Sequence, residues 1–198
     1  MIDVAMLRHG VTAWNEEGRI QGRTDVPLSE RGRRALTGRR LPARFAAYRV
    51  HSSPLARAVE TATLLGLGRP VLDRRLMEMN WGAWEGRTRA SVAATDARGV
   101  ARNEARGPDF RPPGGESPRE MQSRITDWAR SAARLQSDVV AITHKGVIKA
   151  TLGLACAWDL VSKSPVRLDW SRVHHFRFDP ESGDFVLVEP NLRLERTE

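Results

Sequence analysis

The chain has 198 residues, 40% hydrophobic and 28% charged, which suits one globular domain over residues 1–198 with a sizeable core. No apolar run approaches the ~20 residues of a membrane-crossing helix, and residues 2–7 contain Asp3 and lack a basic flank, so neither an anchor nor a signal peptide is expected and a cytoplasmic protein follows. The net charge of +8 favours anionic partners, but the arginines are scattered, with no basic–aromatic run and no zinc spacing, so nucleic acid and membrane are not expected as partners.

Val4–Leu7 predicts a fully buried strand that ends in the loop holding Arg8, His9 and Gly10. Ser29 is a natural N-cap for a helix that carries Leu36 and Leu41 and ends near Pro42. "YRVHSS" reads as a short strand. "PLARAVETATLLGLG" reads as a helix with proline in its first turn and glycine at its end. "RPVLDRRL" is a further short or extended segment. From Met79 to Gly115 the chain is rich in Gly, Pro, Trp and Arg and reads as a surface excursion, with a helix somewhere in 87–105.

Ser117 and Glu120 then form a capping box around Pro118, and Met121, Ile125, Trp128, Ala132 and Leu135 fall on one helical face. Asp138–Thr143 is the next buried strand, and "VIKATLGLACAW" the helix after it. Cys156, in that apolar stretch, reads as a small core residue. The last segment forms a β-hairpin around Ser182–Gly183. Strands alternating with helices predict a three-layer α/β/α sandwich on a mostly parallel sheet.

Two strand-to-loop junctions match: Arg8–His9–Gly10 and Thr143–His144–Lys145–Gly146. Ligands of α/β sheets bind outside the carboxyl ends of strands, where both histidines fall. A third junction, "SSPLAR", leads into a helix whose first turn carries Arg57, and free N–H groups there suit a phosphate. Two arginines and two histidines converging would make a pocket for a phosphoryl dianion.

Taken together, "RHGVTAWN", "GRIQGRTDVPLSERG", "HSSPLARAVETA", "EMNWGAWEG", "PGGES" and "ITHKG" resemble, in order, the motifs of the histidine phosphatase superfamily, phosphoglycerate-mutase-like branch. The resemblance implies His9 as a transiently phosphorylated nucleophile, with Arg8, Arg57 and His144 on the phosphoryl oxygens and Glu78 as proton donor to the leaving group. It also implies Asn15 as a phosphate contact, with Thr12, Gln21 and Gly22 lining the mouth. No Asp/Glu/His cluster has metal-ligand spacing, so neither metal nor cofactor is expected, and the partner is a small phosphorylated substrate. Val11 stands where the family often has Glu, and Lys145 where glycine is usual; Lys145 either adds charge at the pocket rim or points away. The compact excursion after Glu78 lacks an arginine-pair insertion and favours hydrolysis over cofactor-dependent phosphoglycerate mutase transfer. A non-catalytic phospholigand-binding module is the third reading, and oligomeric state stays open. His51, His174 and His175 match no catalytic position and read as structural. Trp14, Trp81 and Trp84 read as core or lid packing, and Arg87, Arg89, Arg98, Arg102, Arg106 and Arg111 as a solvated face.

Overall fold

A computed structural model describes residues 1–197. Strand β1 (Ile2–Arg8) is followed by the one-turn helix α1 (Ala13–Glu16), α2 (Glu30–Leu36), β2 (Arg39–Arg40), β3 (Arg49–Ser52), α3 (Ala56–Leu64) and β4 (Val71–Leu72). Helices α4 (Arg89–Ala93) and α5 (Ala97–Glu104) lie in the excursion. Then come α6 (Pro118–Arg134), β5 (Val139–Thr143), α7 (Lys145–Ala155), β6 (Val173–Phe178), β7 (Phe185–Leu192) and β8 (Glu195–Arg196). Six strands form one sheet in the order β4-β3-β5-β1-β6-β7. Only β6 runs against the others, because a tight hairpin joins it to β7.

The alternation of side chains along the two central strands builds the three layers. Val4 and Met6 of β1, with Val139 and Ala141 of β5, face α6 and α7 and join a core of Met121, Ile125, Trp128, Ile148 and Leu152. Ala5, Leu7, Val140 and Ile142 face the other way, against Leu36 of α2 and Ala58 and Ala62 of α3. Both faces are covered, which is why these strands read as continuous apolar runs. The register sets Arg8 opposite Thr143, so the two histidine-bearing loops leave the sheet side by side.

Several boundaries differ from expectation. Helix α2 stops at Leu36, because Gly38 turns left-handed (φ +67°) and Arg39–Arg40 pairs with β8. Pro54 precedes α3 instead of sitting in its first turn, and α7 starts two residues early, directly after His144. Leu135 is 57% exposed and ends α6; Ala129 takes its place on the buried face. The excursion holds two short helices, each started by its own side-chain cap, Thr88 and Asp96. Cys156 is only partly buried and packs against the core from the end of α7. Among the described residues, no helix is long and apolar enough to cross a membrane.

The remaining histidines are tied into the frame. His51 Nδ1 accepts the indole N–H of Trp128 at 3.1 Å, His174 Nδ1 accepts the N–H of Asn191 at 3.3 Å, and His175 lies 3.2 Å from Asp3. Burial holds His51 below the ordinary imidazole range and His174 down to about 4. Below about pH 6.5 the unfolded chain binds protons that the folded chain refuses, so acid favours unfolding by roughly 1 kcal/mol per pH unit for each such group. The thermal midpoint should therefore fall steadily from pH 7 towards pH 4, and His174→Gln should flatten part of that slope. A midpoint constant across this range would contradict the neutral buried histidines.

Candidate active site

Four side chains meet at the carboxyl ends of β1, β3 and β5. The His9 and His144 rings lie tilted against each other with centroids 5.1 Å apart, and the backbone N–H of His9 is donated to the Thr143 carbonyl at 2.9 Å. The Gly10 carbonyl lies 2.7 Å from His9 Nδ1. A carbonyl only accepts, so Nδ1 carries the proton and the Nε2 lone pair is left for attack. Burial first, then the charges of Arg8 and Arg57, hold His9 well below the ordinary imidazole range. The ring is therefore held in its neutral form.

The guanidiniums are fixed from behind. Arg57 has no exposed surface; it donates to the carbonyls of Thr24 (3.0 Å) and Gly22 (2.7 Å), and burial pulls it down to about 10, so it stays charged at neutral pH. Arg8 donates to Asn15 Oδ1 at 2.8 Å. Asn15 also accepts the Thr12 N–H and, with the Thr12 hydroxyl, donates to Gln21 Oε1. Thr12, Asn15 and Gln21 are thus the support of Arg8, and Gly22 offers a carbonyl to Arg57. The Nε atoms of both arginines and Nδ1 of His144 are buried without partners, as is Nε2 of the Gln21 amide. Acceptor oxygens are what the arginine and amide N–H groups lack. His144 is oriented by Ser53, whose hydroxyl lies 2.8 Å from its Nε2, and burial holds it, too, well below the ordinary range.

Glu78 arrives from the excursion. The Thr143 hydroxyl ties the Leu76 carbonyl to β5, and Arg124 of α6, paired with Glu116, holds the Glu78 carbonyl at 3.3 Å. The Glu78 carboxyl accepts N–H groups from Met79 (2.8 Å) and from Gly146 (3.1 Å) in the first turn of α7. Burial nevertheless pushes its pKa up, which favours the protonated acid. The helix expected to offer free N–H groups, α3, gives its first one, at Ala56, to Asp25. The arginine is what α3 contributes.

Sequence reasoning did not single out Ser53, Arg124, Glu116 or Glu85. Glu85 accepts the N–H groups of Arg23, Thr24 and Trp81 and the Thr24 hydroxyl, and so pins the loop whose carbonyls hold Arg57. Its one legible partner is Gly22, where a Cβ would meet the Glu85 carboxylate at 1.9 Å. Trp81, Trp84 and Phe110 stack together over the excursion, as packing residues do. Arg89 and Arg111 of the expected solvated face pair with Glu104 and Glu120. No cluster of three or more His, Cys, Asp or Glu side chains among the described residues could hold a metal ion.

The sequence profile of the histidine phosphatase superfamily (branch 1) matches residues 4–191. A glucosyl-3-phosphoglycerate phosphatase from Mycolicibacterium vanbaalenii is 38% identical over an alignment that covers 96% of this chain and 92% of that protein. A probable phosphoglycerate mutase, GpmB, from Cronobacter sakazakii is 35% identical over 63% of this chain and 60% of its own length. The solved structure of YhfR from Bacillus stearothermophilus superposes with a TM-score of 0.80 at 28% identity, over 100% of both chains.

Gly146 offers a sharp test of the geometry. A Cβ there would stand 2.1 Å from Oε1 of Glu78, so the carboxyl would have to leave the position its two N–H partners fix. Alanine suits a helix better than glycine by up to ~1 kcal/mol. The helix gain partly offsets the lost N–H bonds, so Gly146→Ala should keep its fold with only a small shift of the thermal midpoint, while hydrolysis of alkyl phosphates falls ~10-fold or more as the carboxyl moves. Unchanged turnover would place the Glu78 carboxyl elsewhere.

Proposed function

Since the chain belongs to the histidine phosphatase superfamily, branch 1, we propose that it hydrolyses a small phosphorylated metabolite through a phosphohistidine on His9. The observation that carries this reading is the His9 ring: its Nδ1 proton is committed to the Gly10 carbonyl, and the two charges that act on the ring, Arg8 and Arg57, each keep a buried Nε donor without an acceptor. Nε2 attacks phosphorus, the ester P–O bond breaks, and the leaving alkoxide takes the Glu78 proton. Water then attacks the phosphohistidine and gives a proton to the Glu78 carboxylate. Phosphate departs, and His9 is again neutral. Arg8, Arg57 and the Nδ1–H of His144 hold the three equatorial oxygens, where charge gathers in the transition state.

Hydrolysis is preferred over mutase chemistry because the relative named a phosphatase matches over nearly the whole chain. A mutase, primed with 2,3-bisphosphoglycerate, would isomerise 3-phosphoglycerate faster than it hydrolyses it.

Glu78 makes the reading testable by leaving group. A nitrophenolate departs without a proton, whereas an alkoxide needs one. Glu78→Gln should cost ~10²-fold or more on an alkyl phosphate and ~10-fold or less on p-nitrophenyl phosphate. With the wild type and an alkyl substrate, kcat/KM expressed per substrate dianion, whose own second pKa is about 6, should hold steady as pH falls below ~6.5, because His9 is already neutral, and should decline as pH rises through the Glu78 pKa. Equal losses on both substrates, with the alkaline decline retained in the variant, would remove Glu78 from the acid's role.

A further inference from the structure

Helix α7 begins directly after His144, and its first turn borders the catalytic centre. Lys145 is its first residue, Gly146 gives its N–H to Glu78, and Lys149 follows one turn later on the face of Lys145. Neither lysine forms an ion pair among the described residues, although 15 such pairs involving arginine or histidine do form. Each ammonium rests instead on an indole: Lys145 Nζ is 5.1 Å from the centre of the Trp170 ring, and Lys149 Nζ 5.2 Å from that of Trp158.

The charges felt by the pair are mostly of their own sign. Arg8 and Arg89 act on Lys145, Lys145 and Arg89 act on Lys149, and Glu78 is the one acid that bears on either. Burial and these cations together hold both lysines below their ordinary range. Arg89, the first residue of α4, lies over Trp81 and spends its charge on Glu104. The two lysines are left as uncommitted charge. Lys145 is open to solvent and Lys149 half-buried, so an incoming ligand can reach them.

The position of Glu78 says which part of a ligand that would be. It is the group that protonates the departing oxygen; its carboxyl is bonded to Gly146 in the first turn of α7, and its charge bears on both lysines as well as on Arg8 and Arg57. Whatever departs is therefore directed towards α7. We propose that the alcohol portion of the substrate carries a second anionic group, which Lys145 and Lys149 bind, so that the enzyme selects phosphate esters of acidic alcohols over those of neutral ones. This rests on the phosphatase reading and adds the substrate class to it. An indole behind each ammonium suits the purpose, since it supports a cation without neutralising it.

Matched esters test this directly. 3-Phosphoglycerate and glycerol 3-phosphate differ only by a carboxylate in place of a hydroxymethyl group. Fructose 1,6-bisphosphate and fructose 6-phosphate differ by a second phosphate. In at least one pair the acidic member should have a kcat/KM ~10-fold or more higher, chiefly through KM, and Lys145→Gln/Lys149→Gln should bring that ratio to within ~3-fold of unity. The ratio is internal to each protein preparation, so a fraction of misfolded variant does not alter it. Calorimetric binding of the same esters to His9→Ala should show the same preference without turnover. No preference in either pair, or a ratio that survives the double substitution, overturns the proposal. If His9-dependent hydrolysis of p-nitrophenyl phosphate persists in that case, the phosphatase reading stands and only the second-anion site falls.

Discussion

Two guanidiniums buried at the carboxyl ends of the strands, with Glu78 the one carboxyl that bears on both, are the constraint around which this molecule is built. Burying an unbalanced cation costs several kcal/mol unless hydrogen bonds and a counter-charge offset it. Here the hydrogen bonds come from carbonyl and amide oxygens: Gly22 and Thr24 for Arg57, Asn15 for Arg8. These are dipoles, not charges. The centre keeps a positive potential that a phosphoryl dianion can complete, and the unpartnered donors face the same deficiency.

The other properties of the site follow from that potential. His9 and His144 resist a second ring proton beside two cations in a desolvated pocket, so both rings are held neutral. Glu78 is pulled in two directions: the arginines and two N–H groups favour its anion, and desolvation favours its acid, with desolvation the larger effect. A dianion in the pocket would weaken the arginines' hold and push the same way. Rigid supports keep these groups from relaxing. Glu85 fastens the loop behind Arg57, and the Arg124–Glu116 pair, largely shielded from solvent, fastens the backbone of Glu78. Both supports come from the excursion and the start of α6, so that irregular stretch is part of the active-site frame.

The central strands, the Ser117 capping box and the closing hairpin were legible in the sequence because each has a local cause: an apolar run, a side-chain cap, a glycine turn. The convergence of Arg8, His9, Arg57 and His144 was legible as well, since strand ends project side chains into one place; Glu78, on no strand end, came only from the family resemblance, and the structure brings it beside them. Boundaries were less legible where tertiary partners decide them, as where β8 captures Arg39–Arg40 and ends α2 early. The support residues were hidden for a different reason. Glu85 reaches 62 residues along the chain to Arg23, and His144 reaches 91 to Ser53, separations that carry no periodicity. Lys145 stood out only as a departure from the family pattern; its orientation towards Trp170 needed coordinates.

The central claim is that His9 Nε2 takes the phosphoryl group. Rapid acid-free quenching during turnover of a ³²P-labelled ester, followed by proteolysis and mass spectrometry, tests it most directly. The account predicts an acid-labile, base-stable phosphoryl group on the peptide containing His9, attached at Nε2, and its absence in His9→Ala with turnover reduced at least ~10³-fold. Phosphate trapped on His144 instead, or a His9→Ala protein that still forms the adduct and turns over, would contradict it.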